Sequence, residues 1–358
     1  MQYSRVCLEG LGCVLPEERV TTAEIEQRLA PLYERLRLPE GRLELMSGIR
    51  ERRFFPPGTR PSDISIQSAN QAIEASGIER RHFGALVHGS VCRDFLEPAT
   101  ACRVHHELGL PSDCMVYDVS NACLGVLTAA VQVAAMIELG QIRAGVVVGT
   151  ESGRALVENT ISRLNADQTL TRDKVKLSVA SLTIGSASAA MVLCDVELSR
   201  TENQITTAVC RSATAGHELC QSVGLSEVMQ TDSELLMRQG VDVGAETFAQ
   251  LKAESGWSAD DLDKTFCHQV GSAHRKMMLE RLGINPAIDF PTFEWLGNTG
   301  SAALPAALCL GREQGWLDPN DRVALLGIGS GINCLMMGLQ WRESPVLSAN
   351  ERSAAVNA

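Results

Sequence analysis

Short apolar runs rich in Val, Ile and Leu recur along the chain, each bounded by glycine or polar turns. In the first half they are Val6–Leu15, Ala85–Cys92, Met115–Val119, Gly145–Gly149 and Ala189–Val196. The second half has Ile205–Arg211, Thr265–Val270, Ile288–Phe293, Val323–Gly327 and Ile332–Leu339. These runs read as strands. Between them, Ile64–Ser76, Leu124–Leu139, Asp242–Glu254 and Arg275–Leu282 carry helical patterns. Strands that are apolar throughout and joined through helices predict an α/β fold, with a mostly parallel sheet covered on both faces. Five strands answer five in the same order, so the pattern predicts a duplication. Its halves would be residues 1–200 and 201–358, meeting at the polar stretch 197–204. Only the first half carries an insertion, about 150–188, which is expected to form a lid or a subunit contact. The polar tail after Trp341 is expected to fray.

Composition narrows the function classes. Lys and Arg number 32 against 43 Asp and Glu, a formal charge of -11. A surface of that sign repels phosphate backbones, and 8 Phe, 4 Trp and 3 Tyr leave few stacking platforms for bases. No nucleic-acid partner is expected. The start, MQYSRVC, lacks a basic stretch followed by an apolar one, and the longest greasy run, Leu124–Ile137, is too short for a bilayer. A cytoplasmic protein without a membrane span is therefore expected. Twelve cysteines with no C-x-x-C argue against a zinc ribbon or a disulfide scaffold. His105-His106-Glu107 is not H-E-x-x-H, Gly327–Gly331 lacks the full dinucleotide fingerprint, and no G-x-S-x-G occurs. Neither a metal nor a bound cofactor is expected.

In parallel sheets, chemistry gathers where strands end and helices begin. After Met115–Val119 comes Ser120-Asn121-Ala122-Cys123-Leu124-Gly125, opening the greasy helix. Cys123 thus sits at a helix N-terminus, where free amides favour thiolate over thiol. His268 follows the strand at Thr265, Asn298 lies in the turn after Phe293, and Gly327-Ile328-Gly329-Ser330-Gly331 ends the strand at Val323. The other six histidines read as core or surface residues.

These stretches, with Gly48-Ile49-Arg50-Glu51-Arg52-Arg53, Cys267-His268-Gln269-Val270 and Gly297-Asn298-Thr299, occur in the order and spacing of a known family. The chain resembles the thiolase superfamily, ketoacyl synthase III branch, over nearly its whole length. The resemblance implies a homodimer of duplicated βαβαβαββ halves in five layers, α-β-α-β-α. Within the branch, the chain is most similar to the subgroup that joins two long-chain acyl-CoA molecules head to head in bacterial olefin synthesis. Two features carry that finer likeness. Glu97, in Ser90–Pro98, stands where ordinary ketoacyl synthase III has an aromatic gate residue reaching into the partner's site. The glycine turn places Ser330 at the oxyanion-hole backbone position. One departure concerns the carrier: Arg42 and Met46 stand where ordinary members clamp the coenzyme A adenine with Trp and Arg. An acyl carrier protein stays open as donor.

The resemblance implies a non-decarboxylative Claisen condensation of two fatty acyl-CoA thioesters. Cys123 takes the first acyl group, with the Cys123 and Ser330 amides as the oxyanion hole. His268 and Asn298 stabilise the enolate of the second thioester, and Glu97 from the partner subunit removes its α-proton. The 2-alkyl-3-oxoacyl product, released as a 3-keto acid, would pass to downstream pathway enzymes. Alternatives are a decarboxylating synthase using malonyl carrier protein, and acyl transfer to an alcohol or amine with His268 as base. A catalytically silent partner subunit is a further alternative, disfavoured by the intact Cys123, His268 and Asn298.

Overall fold

The computed structural model describes residues 1–222 and 229–343. Nine strands form its main sheet: β1 (Val6–Val14), β2 (Phe83–Gly89), β3 (Met115–Val119), β4 (Ala144–Glu151), β5 (Ala187–Asp195), β6 (Gln204–Ser212), β7 (Lys264–Cys267), β8 (Arg322–Gly329) and β9 (Asn333–Gln340). Their order across the sheet is β7-β8-β9-β6-β1-β5-β4-β2-β3. At the middle the ladder is thin. β1 meets β6 in one register pair, Cys7 with Gln204, and Leu8 N–H donates to Asn203 O at 2.7 Å. The sheet therefore has two parts, one of five strands and one of four.

Helices complete the layers: α1 (Pro61–Ser76), α2 (Thr100–Leu108), α3 (Gly125–Glu138), α4 (Arg154–Ala166), α5 (Arg172–Lys176), α6 (Val179–Leu182), α7 (Ser233–Ser255), α8 (Ser272–Leu282) and α9 (Ala303–Glu313). Leu127 and Val133 of α3 and Leu304 and Leu308 of α9 pack between the two sheet parts. Helices α1 and α2 cover the outer face of the five-strand part, and α7 and α8 cover that of the other. This is the expected α-β-α-β-α stack. Burial on both faces explains the continuous apolar strands. Along β8, Val323 and Leu325 face α3 and α9, while Ala324, Leu326 and Ile328 face α7 and α8.

Three expectations need correction. The sheet is mixed, not mostly parallel: β2–β3, β2–β4 and β7–β8 are parallel, whereas β1–β5, β4–β5, β6–β9 and β8–β9 are antiparallel. β8 and β9 are joined by the short turn Ser330–Ile332, and a hairpin can only pair antiparallel. The run Ile288–Phe293 is not a strand. Pro286–Ile288 is a helical turn, Asp289 makes a lone bridge to Thr265, and a further turn begins at Phe293. Pro291 has no N–H to donate, and the Asp289 carboxylate takes the place of a ladder by accepting from Thr265 Oγ1 and Cys267 N–H. Of the expected frayed tail, Arg342 and Glu343 are tied down, Glu343 by both arms of Arg312 at 2.5 and 3.0 Å. The rest lies outside the described residues.

The insertion forms α4, α5 and α6. With the short helices Thr22–Arg28, Ala30–Leu36 and Arg42–Ser47 it builds a separate apolar cluster around Ile25, Leu32, Phe54, Val157, Ile161 and Leu182.

Candidate active site

Strand β3 ends at Val119, and the chain then makes one tight turn, Ala122–Leu124, into α3. Ala122 is held at φ 44, a left-handed conformation costly for a residue with a side chain, and such strain clusters at functional sites. Gly125 lets α3 lie against β2: a Cβ there would come 2.6 Å from the Gly89 carbonyl oxygen. The turn rests over the end of β8. A Cβ on Gly329 would stand 3.6 Å from Cys123 Cβ and 3.5 Å from its amide nitrogen. Cys123 is half-buried. Its protonation state differs from expectation. Burial, then the nearby Glu151 charge and Cys220, push the thiol up to about 12, outweighing the hydrogen bond from its own backbone amide. At rest Cys123 is a thiol.

His268 leaves β7 beside the same part of β8, its amide donating to Leu326 O at 3.0 Å. The next residue braces it. Gln269 donates to Cys267 O at 2.8 Å and to Phe290 O at 3.3 Å, and its carbonyl accepts from Thr292 and Phe293 N–H at 3.0 and 3.2 Å. Gln269 therefore locks the His268 strand exit to the segment that leads into Gly297-Asn298. His268 is 4% exposed, and among the described residues its Nδ1 has no partner. Burial, helped by His274, holds its pKa down at about 3, so the ring is a neutral imidazole, able to accept a proton at one nitrogen.

Asn298 is fixed by its backbone: N–H to Thr183 O at 3.0 Å, and carbonyl to Gly185 N–H at 2.9 Å. Both partners lie at the end of the insertion, which thus sets the position of this turn. The Asn298 Oδ1 accepts from Gly300 N–H at 3.0 Å, leaving its amide N–H groups without a partner among the described residues. Ser330 lies in the turn after β8, near Cys123. Asn333 ties the two: its Nδ2 donates to Asn121 Oδ1 at 3.1 Å and to Ser330 O at 3.4 Å. Among the described residues, neither the Cys123 nor the Ser330 amide donates to a backbone carbonyl, and the Cys123 amide is directed at its own sulfur.

The structure thus brings the turns bearing Cys123, His268, Asn298 and Ser330 to the same end of the strands. Glu97 is exposed on the loop from Ser90 to Ala99, beside Phe95 and Leu96 (52% and 92% exposed), and no hydrogen bond or ion pair engages it among the described residues. The sequence reading missed Glu151, the last residue of β4. It is 5% exposed and accepts from Val91 and Cys92 N–H and from Ser301 N–H and Oγ. The signal was present, because Glu151 also sits at a strand exit. The roles of Gln269 and Asn333 were missed too.

A cavity of about 500 Å³ opens between Gly41–Gly48 and the start of α8, lined by Glu44, Leu45, Arg50, Ser272 and Glu294. It lies beside Arg42 and Met46, where the carrier clamp departs from the ketoacyl synthase III pattern; none of the site residues above lines it. Among the described residues no group of His, Cys, Asp or Glu could hold a metal, and no helix is long and apolar enough to cross a membrane.

Comparison with known proteins agrees with this layout. The thiolase N-terminal domain matches residues 57–223, and the 3-oxoacyl-[acyl-carrier-protein] synthase III C-terminal region matches residues 252–341. An acyl-CoA:acyl-CoA alkyltransferase of Shewanella oneidensis is 44% identical over 352 residues, covering 95% of this chain and 100% of the relative. That of Xanthomonas campestris pv. campestris is 36% identical over 341 residues, with the same coverage. A solved structure of Xanthomonas campestris OleA with bound lauric acid and lauroyl-CoA superposes with a TM-score of 0.91 at 35% identity, covering 95% of this chain and 100% of that one. The layered fold, the Cys-His-Asn order and this full-length likeness together show that the chain belongs to the acyl-CoA:acyl-CoA alkyltransferase family of the thiolase superfamily.

Proposed function

We propose that the protein is an acyltransferase that condenses two fatty acyl-CoA thioesters head to head without decarboxylation, in the first carbon–carbon bond-forming step of olefin synthesis. The observation that carries the reading is the gathering of the turns bearing Cys123, His268, Asn298 and Ser330 at one end of the strands, with the end of β8 packed against Cys123. Cys123 attacks the first thioester as its thiol proton moves toward the coenzyme A sulfur that will leave. A thiol near 12 reacts by this concerted route rather than as a standing thiolate. The Cys123 and Ser330 amides hold the tetrahedral oxyanion, each worth roughly 3 kcal/mol. Coenzyme A leaves as its thiol, taking up that proton, and the acyl group stays on sulfur.

The second thioester then lies with its carbonyl oxygen toward His268 and the Asn298 amide, which stabilise the enolate. Glu97 of the partner subunit removes the α-proton. In a single chain its carboxylate is in water. Covering the exposed Phe95 and Leu96 in a homodimer would desolvate it and make it a stronger base. Edge strand β3, with a neighbour on one side only, supports a dimer contact at the same place. The enolate carbon attacks the acyl-Cys123 carbonyl, the bond from that carbonyl carbon to the Cys123 sulfur breaks, the sulfur takes up the proton removed by Glu97, and the 2-alkyl-3-oxoacyl-CoA leaves. Hydrolysis to the 3-keto acid then completes the reaction. We place the enzyme in the cytoplasm, handing its product to downstream enzymes.

Intact-protein mass spectrometry after mixing with myristoyl-CoA tests the roles. The wild type and Glu97→Ala carry the acyl adduct, Cys123→Ala does not, and only the wild type makes condensed product. An adduct on Cys123→Ala overturns the nucleophile, and condensation by Glu97→Ala overturns the base. Loss of CO2 from labelled malonyl thioester would favour the decarboxylating alternative.

A further inference from the structure

Glu151 is a buried carboxylate that the condensation scheme leaves idle. It ends β4 at 5% exposure, and no Lys or Arg pairs with it among the described residues. Four donors hold it: Val91 N–H at 3.1 Å, Cys92 N–H at 3.3 Å, Ser301 N–H at 3.3 Å and Ser301 Oγ at 2.5 Å. An anion this buried survives only through such bonds, and bonds to a charged acceptor are the strong ones. The donors belong to two separate segments. Val91 and Cys92 open the loop that ends in Glu97, and Ser301 stands three residues beyond Asn298. Gly300 is kept at φ +54 with the carboxylate against it, since a Cβ there would come 3.1 Å from Glu151 Cδ.

We propose that Glu151 is a positioning residue of the carbon–carbon bond-forming step, a clasp that sets the Glu97 loop against the Asn298 turn. The inference rests on the roles given above to Cys123, Asn298 and Glu97. A fold-stabilising carboxylate would affect both half-reactions alike. A clasp between the base loop and the enolate-binding turn affects the second and spares the first. Glu151 also has a separate electrical effect. Its charge raises the thiols of Cys92 and Cys123, and Cys220 is the other titratable group that raises Cys123. Neutralising Glu151 therefore makes Cys123 more acidic even while it loosens the clasp, and these two effects have opposite signs in two assays.

The test compares Glu151→Gln, Glu151→Asp and Ser301→Ala with the wild type. It measures the acyl adduct on Cys123 with myristoyl-CoA, the condensation rate, and the rate of Cys123 alkylation by iodoacetamide at pH 8, read by peptide mass spectrometry. All three variants should form the adduct at near the wild-type rate and condense at least about tenfold more slowly, a factor equal to about 1.4 kcal/mol. Glu151→Gln should alkylate several-fold faster, while Glu151→Asp and Ser301→Ala, which keep the charge, should match the wild type. Ser301→Ala keeps the carboxylate and its three amide donors, so it keeps the test open if Glu151→Gln fails to fold. Wild-type condensation in Ser301→Ala, or equal loss of acylation and condensation, would each overturn the clasp, and unchanged alkylation in a folded Glu151→Gln would overturn the separate charge effect. An adduct on Cys123→Ala would instead overturn the reading on which it rests.

Discussion

His274, in the first turn of α8, gives a quantitative prediction about acid stability. It is 9% exposed, its Nδ1 has no partner among the described residues, and burial holds its pKa down at about 4 from 6.5. The folded protein therefore resists a proton that the unfolded chain accepts. A histidine with a depressed folded pKa contributes stability that is present above 6.5 and is lost as pH falls toward 4. For those two values the loss between pH 7 and pH 5 is about 2 kcal/mol, growing to about 3 kcal/mol at lower pH. Replacing the ring with an apolar group of similar size, His274→Leu, removes that share. Urea unfolding of both proteins at pH 7 and pH 5 gives the comparison. The drop in unfolding free energy should be smaller in His274→Leu by about 2 kcal/mol, with the part due to His268 and His88, both also held low by burial, remaining. An unchanged drop would refute the reasoning, because it would mean that His274 titrates alike in both states.

Three further outcomes follow from the site. Gly125→Ala forces a Cβ within 2.6 Å of the Gly89 oxygen, so it should cost about 1–3 kcal/mol in unfolding free energy and slow Cys123 acylation. An unchanged melting temperature would contradict that close approach. Asn333→Ala cuts the tie between the Ser330 turn and Asn121, and should lower acylation about tenfold while stability falls by about 1 kcal/mol, read by stopped acylation assays and thermal melts. With its thiol near 12, Cys123 should be alkylated ever faster from pH 7 to 9.5; a plateau near pH 8 would show a lower thiol pKa.

Much of the fold was legible because burial on both faces leaves a simple trace. The interiors of β4, β8 and β9 run apolar on both faces, since alternate residues meet different helix layers. What failed was where side chains replaced backbone pairing. Asp289 supplies by its carboxylate what a ladder would have given, so Ile288–Phe293 had strand composition without being a strand. The helices between Thr22 and Ser47 bury into a satellite cluster with the insertion, a contact between distant segments that no local period announces. The rule of looking at strand exits led to Cys123, His268 and the glycine turn of Ser330. It led to Asn298 by way of a run that is not a strand, while the roles of Ser330 and Glu97 came from the family resemblance. The same rule missed Glu151 because the strand was ended two residues early, at Gly149 rather than at Glu151. The state of the Cys123 thiol could not be read locally: the helix terminus is visible in the sequence, whereas the burial against β8 and the Glu151 charge, which raise the thiol, come from distant segments.

The central claim is that one acyl thioester supplies both halves of the product. Purified protein incubated with myristoyl-CoA as its only substrate tests this most directly, with products extracted and analysed by mass spectrometry. The account predicts the branched 3-keto acid and the 27-carbon ketone that it yields on losing its carboxyl group, with about two coenzyme A released per condensation. Coenzyme A release with myristic acid as the sole product, or product only after malonyl thioester is added, would contradict it.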